Sequence, residues 1–272
     1  MIGLGLSIVG GSATEASSQG NRNTPAFSNT KSLFLDGTGD TFAPGFTSAQ
    51  KQTFFRDSFT ISFWGAFNHN NNFWTALGFD TTSGARTKLL IRELNFGGGN
   101  LWYIEGLFNS VSWNTGFFAN GLTGDKTTWV HIAMVMEKGA SGSDNNTFKF
   151  YQNGTLLKEV AATTNTNMSA TTWPNDVDIT FGALTTTTAS SSHGDMRLDE
   201  VAFFDTALDA SGVAAIYNSG ATFDLTSANG DYRGQDNLIR YYRLEDNLTD
   251  STGTTDGATA GDPSFDSNTP DS

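Results

Sequence analysis

The stretch Phe59-Thr60-Ile61-Ser62-Phe63 decides the fold class, because apolar and polar residues alternate in it without exception. Successive side chains of a β-strand point to opposite faces of the sheet. The pattern therefore predicts a strand with Phe59, Ile61 and Phe63 in the core and with Thr60 and Ser62 facing outward. A strand with one apolar face is typical of an antiparallel sheet.

Similar patterns recur along the chain on both sides of this strand. Asn153-Gly154 separates two of them and predicts a tight hairpin, because both turn positions need a positive φ. The whole set predicts an all-β fold, a two-sheet antiparallel sandwich or jelly roll. The other predicted strands lie in residues 32–37, 129–136, 148–152, 155–157, 178–182 and 196–204, and the second of these is apolar on both faces.

One short helix is predicted near residues 209–218. Asp209 can cap its first turn, and Val213, Ile216 and Tyr217 form an apolar stripe at helical spacing. Gly220 is expected to end it. A helix of this length among many strands is expected to cover a sheet.

The composition excludes several classes of function. The net charge is −13, and so acidic a surface repels phosphate backbones and anionic lipid. We therefore expect neither nucleic acid nor a membrane as a partner. The chain has no Cys and only three His, which argues against a thiol nucleophile and a zinc cluster. His131 lies on the Trp129, Ala133 and Val135 face of a predicted inner strand, which favours a structural role.

The order of several motifs resembles the concanavalin A-like, laminin-G-type jelly rolls over about residues 32 to 220. The resemblance implies a sandwich that often binds ligands at its surface, without fixing the ligand. The end of the chain and its Gly3-Leu4-Gly5 opening are similar to laminin-G-like proteins of marine phages. The motifs that resemble the jelly rolls are residues 32–37 with Asp40, 59–64, 128–133, 150–154, 198–201 and the helix ending at 217–218. The stretches at the end of the chain that resemble the phage proteins are residues 238–244, 250–251 and 265–266.

These observations divide the chain into three parts. Residues 1–30 are expected to form an N-terminal arm. The arm would either be a plain extension or dock on a partner, and a signal peptide is the alternative. The apolar stretch 1–9 has no cation before Arg22, which argues against a signal. Residues 31–222 are predicted as the jelly-roll core and residues 223–272 as a C-terminal segment that packs back on the sandwich, partly as loop.

Three aspartates are candidate metal ligands. Asp36, Asp40 and Asp199 lie in the motifs that resemble the family, whose laminin-G-like members often bind calcium through turn aspartates. An alternative is that Asp36 and Asp40 only cap tight turns through their side chains. Asp199 precedes Glu200 in an apolar strand, and a buried carboxylate there needs hydrogen bonds or a cation. Structural calcium is therefore the one cofactor expected.

A glycan site would need exposed aromatic rings beside amide groups. Two stretches supply both residue types, and they also contribute to the large set of aromatic residues that a sandwich core needs. The candidate glycan-binding residues are Asn70, Asn72, Trp74, Trp102 and Trp113.

The sequence argues against catalysis. Glycosidases of the family place Glu, Asp and Glu on one strand at alternating positions, and no such run occurs. The nearest set is Asp195, Asp199 and Glu200, in which the last two neighbours point to opposite faces.

The leading hypothesis is a non-catalytic structural protein of a phage particle, in capsid decoration or in a tail fibre. It would be attached to other virion proteins through the arm or the C-terminal segment, and it would bind glycan of the host surface. The alternatives are a secreted or cell-surface, calcium-dependent carbohydrate-binding module and, third, a glycoside hydrolase using Glu200. The position on the particle and a homo-oligomeric state are left open.

Overall fold

The computed structural model describes residues 27–68, 74–81, 88–96, 99–108, 111–114, 118–119, 125–139, 146–161, 177–184 and 193–271. Strands and two short α-helices make up most of these ranges. In chain order they are β1 Ser32–Asp36, β2 Thr41–Ala43, α1 Ser48–Arg56, β3 Phe59–Asn68, β4 Trp74–Thr81, β5 Lys88–Phe96, β6 Gly99–Phe108, β7 Val111–Asn114, β8 Phe118–Ala119, β9 Asp125–Glu137, β10 Thr147–Gln152, β11 Thr155–Ala161, β12 Val177–Phe181, β13 Asp195–Phe204, α2 Ala210–Tyr217, β14 Leu238–Tyr242, β15 Ala258–Ala260 and β16 Ser264–Asp266.

The strands form two antiparallel sheets, as the alternation predicts. Sheet A has the order β11-β10-β9-β3-β13-β1-β16, and sheet B has the order β15-β2-β12-β4-β5-β6-β7 with β8 beside β6. Strand β13 of sheet A has two neighbours on one side, because β1 pairs with its first half and β14 with its second half. The all-β sandwich with a short helix near residues 209–218 is confirmed.

Aromatic side chains fill the space between the sheets. Phe59, Ile61 and Phe63 of β3 are completely buried, as predicted. The ring of Phe63 meets that of Phe181 from sheet B edge to face, with 5.2 Å between ring centroids. Burying a phenylalanine side chain stabilises a fold by roughly 1.5–3 kcal/mol, so these contacts dominate the core.

The outer face of sheet A is covered, which corrects the prediction for Thr60 and Ser62. Both are buried, and both find polar partners there. The Thr60 hydroxyl donates to the carbonyl of Thr206 at 2.8 Å, and Ser62 Oγ lies 2.7 Å from Nε2 of His131. Helix α2 and the segment after it form the cover, so a local pattern could not reveal it. His131 is buried as predicted, and burial lowers its pKa to about 3.

Two features predicted from the sequence, the Asn153-Gly154 turn and the Asp209 helix cap, have the expected geometry. Asn153 and Gly154 adopt φ values of 50° and 71° between β10 and β11. Asp209 accepts a 2.7 Å hydrogen bond from the N–H of Gly212 and caps α2. The helix ends at Tyr217, within the predicted bounds, and both Asn218 and Gly220 have a positive φ.

Helix α1 was not predicted from the sequence. Its start is a capping box, in which Gln50 N donates to Thr47 Oγ1 and Thr47 N donates to Gln50 Oε1. Its two buried residues, Phe54 and Phe55, are neighbours in sequence. They therefore give none of the helical spacing on which a prediction depends.

The C-terminal segment contributes to both sheets. Strands β14 and β16 join sheet A, and β15 joins sheet B through β2. Residues 29–31 meet this segment as well, since the carboxylate of Glu245 accepts from the N–H and the hydroxyl of Thr30, both at 2.8 Å. The start of the described chain is thereby held against the C-terminal segment.

Candidate functional site

The turn that follows β1 holds two of the three predicted metal ligands. Asp40 is buried, and its carboxylate accepts backbone N–H groups from Asp36 at 3.0 Å and from Asp262 at 2.8 Å. Burial raises the pKa of Asp40, and the two backbone hydrogen bonds oppose this effect. Asp36 accepts the N–H of Thr38 at 2.6 Å. Both aspartates therefore cap the turn, which is the structural alternative that the sequence offered.

The same turn also gathers three carboxylates. Asp36, Asp40 and Asp262 each place an oxygen within 4.8 Å of the others. Calcium takes six to eight oxygen ligands, and a carboxylate oxygen that accepts one N–H retains a second lone pair, so these residue types fit such an ion. Asp262 was missed because more than two hundred residues separate it from Asp40. The calcium hypothesis stays a prediction at this turn.

Asp199 does not belong to this turn. Asp36 is paired in register with Asp195, and Asp199 lies four residues farther along β13. At about 3.3 Å per residue, this separates the two positions by about 13 Å. The three predicted ligands therefore do not form one site, because the register of β1 against β13 places Asp199 in the interior of the sheet.

Asp199 and Glu200 form a buried pair of carboxyl groups at a bulge of β13. Glu200 has a φ of 49°, and the register with β3 shifts between residues 199 and 202. Burial and the charge of Glu200 raise the pKa of Asp199 well above its usual value. Burial raises the pKa of Glu200 to about 8, although Tyr241 donates its hydroxyl to Oε2 and Arg243 lies 3.7 Å from Oε1. Both carboxyl groups are therefore held towards their protonated forms.

The pair has little access to solvent. Asp199 is fully buried and Glu200 is 3% exposed. The cavity beside Glu200 measures about 10 Å³, which is close to the space of a single water molecule. This geometry leaves no room for a sugar at the residue that the hydrolase hypothesis named.

The predicted glycan residues have mixed positions. Trp102 is fully buried in the core, and its Nε1 donates to Gln152 Oε1 at 2.8 Å. This burial removes Trp102 from the rings that could stack on a sugar. Asn70 and Asn72 lie outside the described residues. Trp74 and Trp113 lie in β4 and β7, and their side chains lie outside the described part of the structure.

A groove that the sequence did not reveal opens between α1 and the start of β14. Its volume is about 490 Å³, which is in the range of small-molecule sites. Phe46, Phe54 and Ile239 give it an apolar floor, and the exposed Asp57 and Asp205 stand at its mouth. The full lining is Phe46, Ala49, Gln50, Thr53, Phe54, Asp57, Ser58, Asp205, Ile239 and Arg240.

The polar groups of the groove retain hydrogen-bonding capacity. Thr53 donates its hydroxyl to the carbonyl of Ala49 at 3.1 Å, which leaves the hydroxyl oxygen as an acceptor. Ser58 accepts the N–H of Lys138 at 3.1 Å, which leaves its hydroxyl proton to donate. An apolar floor with a few polar groups at its edge is the usual design of a site for a small polar ligand.

Arg240 closes the inner end of the groove and is occupied inside the protein. It is 3% exposed, and its guanidinium lies 4.8 Å from the ring centroid of Phe46. Nη1 of Arg240 donates to the carbonyl of Ile239 at 2.6 Å, and Nη2 donates to the carbonyl of Gly45 at 3.4 Å. Nε lies 3.6 Å from the fully buried carboxylate of Asp250. The charge of Arg240 is therefore balanced from within the fold.

The sequence itself establishes the family. Residues 36–214 match the laminin-G-type model described as the Concanavalin A-like lectin/glucanases superfamily, and this match covers about two thirds of the chain. The chain belongs to this superfamily. The predicted resemblance to concanavalin A-like domains is confirmed. Strands β14 to β16, and with them Ile239 and Arg240 of the groove, lie beyond the matched part of this concanavalin A-like chain.

Solved structures with the same fold include two that align with a TM-score above 0.5. A Bacteroides ovatus protein proposed to bind carbohydrate aligns over 89% of this chain and 60% of its own, with 16% identity and a TM-score of 0.60. A mutant of the NanB sialidase from Streptococcus pneumoniae aligns over 68% of this chain and 27% of its own, with 15% identity and a TM-score of 0.51. These identities show the fold alone.

Two further comparisons are negative. Curated protein sequences give no match. In the described ranges, we find no helix with both the length and the apolar character needed to cross a bilayer.

Proposed function

We propose that the protein is a non-catalytic glycan-binding module at the outer surface of a virus particle, as a capsid decoration or as part of a tail fibre. The observation that carries glycan binding is the groove between α1 and β14. The apolar face of a pyranose can lie on its phenylalanine floor, while sugar hydroxyls bond to Thr53, Ser58 and the carboxylates at the mouth. Membership of the concanavalin A-like superfamily supports this assignment, as does the Bacteroides ovatus structure.

Attachment to a particle is supported by features outside the groove. The net charge of −13 keeps densely packed copies from aggregating. The apolar stretch 1–9, which has no cation beside it, is proposed as the docking segment, with the C-terminal segment as the other contact. Host-surface polysaccharide would then be the ligand that the exposed groove meets.

A glycan array tests the binding function. We expect the full chain to bind at least one oligosaccharide, and Thr53→Trp to lose this binding, because Thr53 is exposed on α1 and an indole there fills the groove. Thr155→Trp is the matched control, since Thr155 is exposed on β11 outside the groove. Equal loss in both variants, or binding that Thr53→Trp leaves intact, would contradict the assignment of the site.

Mass spectrometry of purified particles tests the location. We expect the chain among the particle proteins. Deletion of residues 2–20 should abolish its incorporation without unfolding the domain, because the described strands and helices lie at residue 32 and beyond. Normal incorporation of the truncated chain would exclude the docking role of the arm.

The second candidate is a secreted or cell-surface, calcium-dependent carbohydrate-binding module. The three carboxylates at Asp36, Asp40 and Asp262 are the observation in its favour. A chelator separates the two candidates, because this module would lose glycan binding when calcium is removed. Binding through the groove alone would persist.

A further inference from the structure

We propose that the groove selects uncharged sugars and rejects anionic ones, such as those that end in sialic acid. This inference rests on the proposed glycan-binding function and names the ligand class of the same site. The proposal follows from the charged side chains that line the groove.

The mouth of the groove presents two carboxylates. Asp57 and Asp205 are exposed, and each accepts one hydrogen bond from the protein, from Ser58 N–H at 2.9 Å and from Asn237 Nδ2 at 3.2 Å. Ionised carboxylates accept hydrogen bonds and donate none. They therefore suit the hydroxyls of a neutral sugar and repel the carboxylate of an acidic sugar.

Arg240 lines the groove and Lys138 lies beside Asp57, and neither reverses this repulsion. Arg240 is 3% exposed, donates from Nη1 and Nη2 to backbone carbonyls and has the carboxylate of Asp250 3.6 Å from Nε. Its charge is balanced inside the fold, and a ligand carboxylate has little access to it. Lys138 lies 3.7 Å from Asp57, with 38% of its side chain exposed. A surface ion pair of this kind is weak because water screens it.

The expected ratio of affinities for neutral and anionic sugars follows from Coulomb's law. One pair of like charges about 6 Å apart, at a dielectric between those of the protein surface and of water, changes affinity by about tenfold. The general charge of −13 adds a long-range repulsion that salt screens, whereas the contribution of the groove depends on two named residues.

The experiment compares matched pairs of oligosaccharides, each neutral sugar beside its sialylated form, by calorimetry at 150 mM salt. For the unmodified chain we expect at least about tenfold tighter binding of the neutral member. The double variant Asp57→Asn with Asp205→Asn should reduce this ratio towards unity. The control, Asp231→Asn with Asp246→Asn, removes the same charge from exposed positions that do not line the groove, and should keep the ratio.

The outcomes separate the inference from the function that it deepens. If the unmodified chain binds the sialylated members as tightly as the neutral ones, selectivity is refuted while glycan binding stands. If the control reduces the ratio as much as the groove variant, selectivity arises from total charge and the inference is overturned. If no member of any pair binds, the proposed function itself fails.

Discussion

Replacing Glu200 with Gln should make the protein more stable at neutral pH. In the fold, burial raises the pKa of Glu200 from its ordinary 4.5 to about 8. Between these values the unfolded chain releases the proton and the folded chain keeps it. The folded state therefore binds more protons, and its stability falls as the pH rises through this window. Below pH 4.5 both states are protonated, and the penalty is absent.

The magnitude follows from the same two pKa values. Each pH unit above the unfolded pKa costs the folded state about 1.4 kcal/mol until the folded pKa is reached. The penalty is therefore about 3 kcal/mol at pH 7. Gln has no proton to lose, and its amide oxygen can still accept the hydroxyl of Tyr241, the group that donates to Glu200. Asp199 adds a trend of the same sign, and because the charge of Glu200 helps to raise the pKa of Asp199, this trend is weaker in Glu200→Gln and increases the difference.

Urea denaturation at pH 5, 6, 7 and 8 measures this difference. We compare the free energy of unfolding of Glu200→Gln with that of the unmodified chain. The difference between them, in favour of Glu200→Gln, should grow by about 3 kcal/mol between pH 5 and pH 7. Glu159→Gln is the control, because Glu159 is an exposed glutamate of β11. Parallel curves for the unmodified chain and Glu200→Gln would refute the reasoning, since Glu200 would then titrate alike in the folded and unfolded states.

Three shorter predictions concern calcium and backbone geometry. Calcium chloride should raise the melting temperature of the unmodified chain, and Asp262→Asn should abolish the rise; an equal rise in both would exclude this turn as the site. Asp209→Ala should cost about 1 kcal/mol in denaturation experiments, because the Gly212 N–H loses its cap. Gly182→Ala should cost roughly 1–3 kcal/mol in the same assay, because φ is 81° and the new methyl would lie 2.5 Å from Leu35. An unchanged free energy of unfolding would contradict either estimate.

Local patterns predicted seven of the described strands, six in sheet A and β12 in sheet B, and missed β2, β4 to β8 and β14 to β16. Phe59 to Phe63 alternate because one face of β3 lies on the core, and Asn153-Gly154 turns because both residues adopt a positive φ. Asp209 caps α2 for an equally local reason. These features depend on neighbours in sequence, and that is why the sequence predicts them.

Local patterns could not predict contacts between segments that are distant in sequence. The carbonyl of Thr206 that accepts from Thr60 lies 146 residues later in the chain, and Asp262 meets Asp40 from 222 residues away. Trp102 shows the same limit from the other side, since a tryptophan in Leu101-Trp102-Tyr103-Ile104 can face either the core or the solvent. Its burial is decided by Gln152 and by the packing of β6.

The groove joins residues inside the family match to residues beyond it. The family match ends at residue 214, whereas Ile239 and Arg240 belong to β14, which pairs with the second half of β13. The opposite wall is α1, whose phenylalanines pack on the core and whose exposed side faces β14. Only the combination of α1 with the C-terminal segment creates a space of about 490 Å³. The proposed ligand class therefore has to be read from Asp57, Asp205 and the internally paired Arg240 rather than from the superfamily.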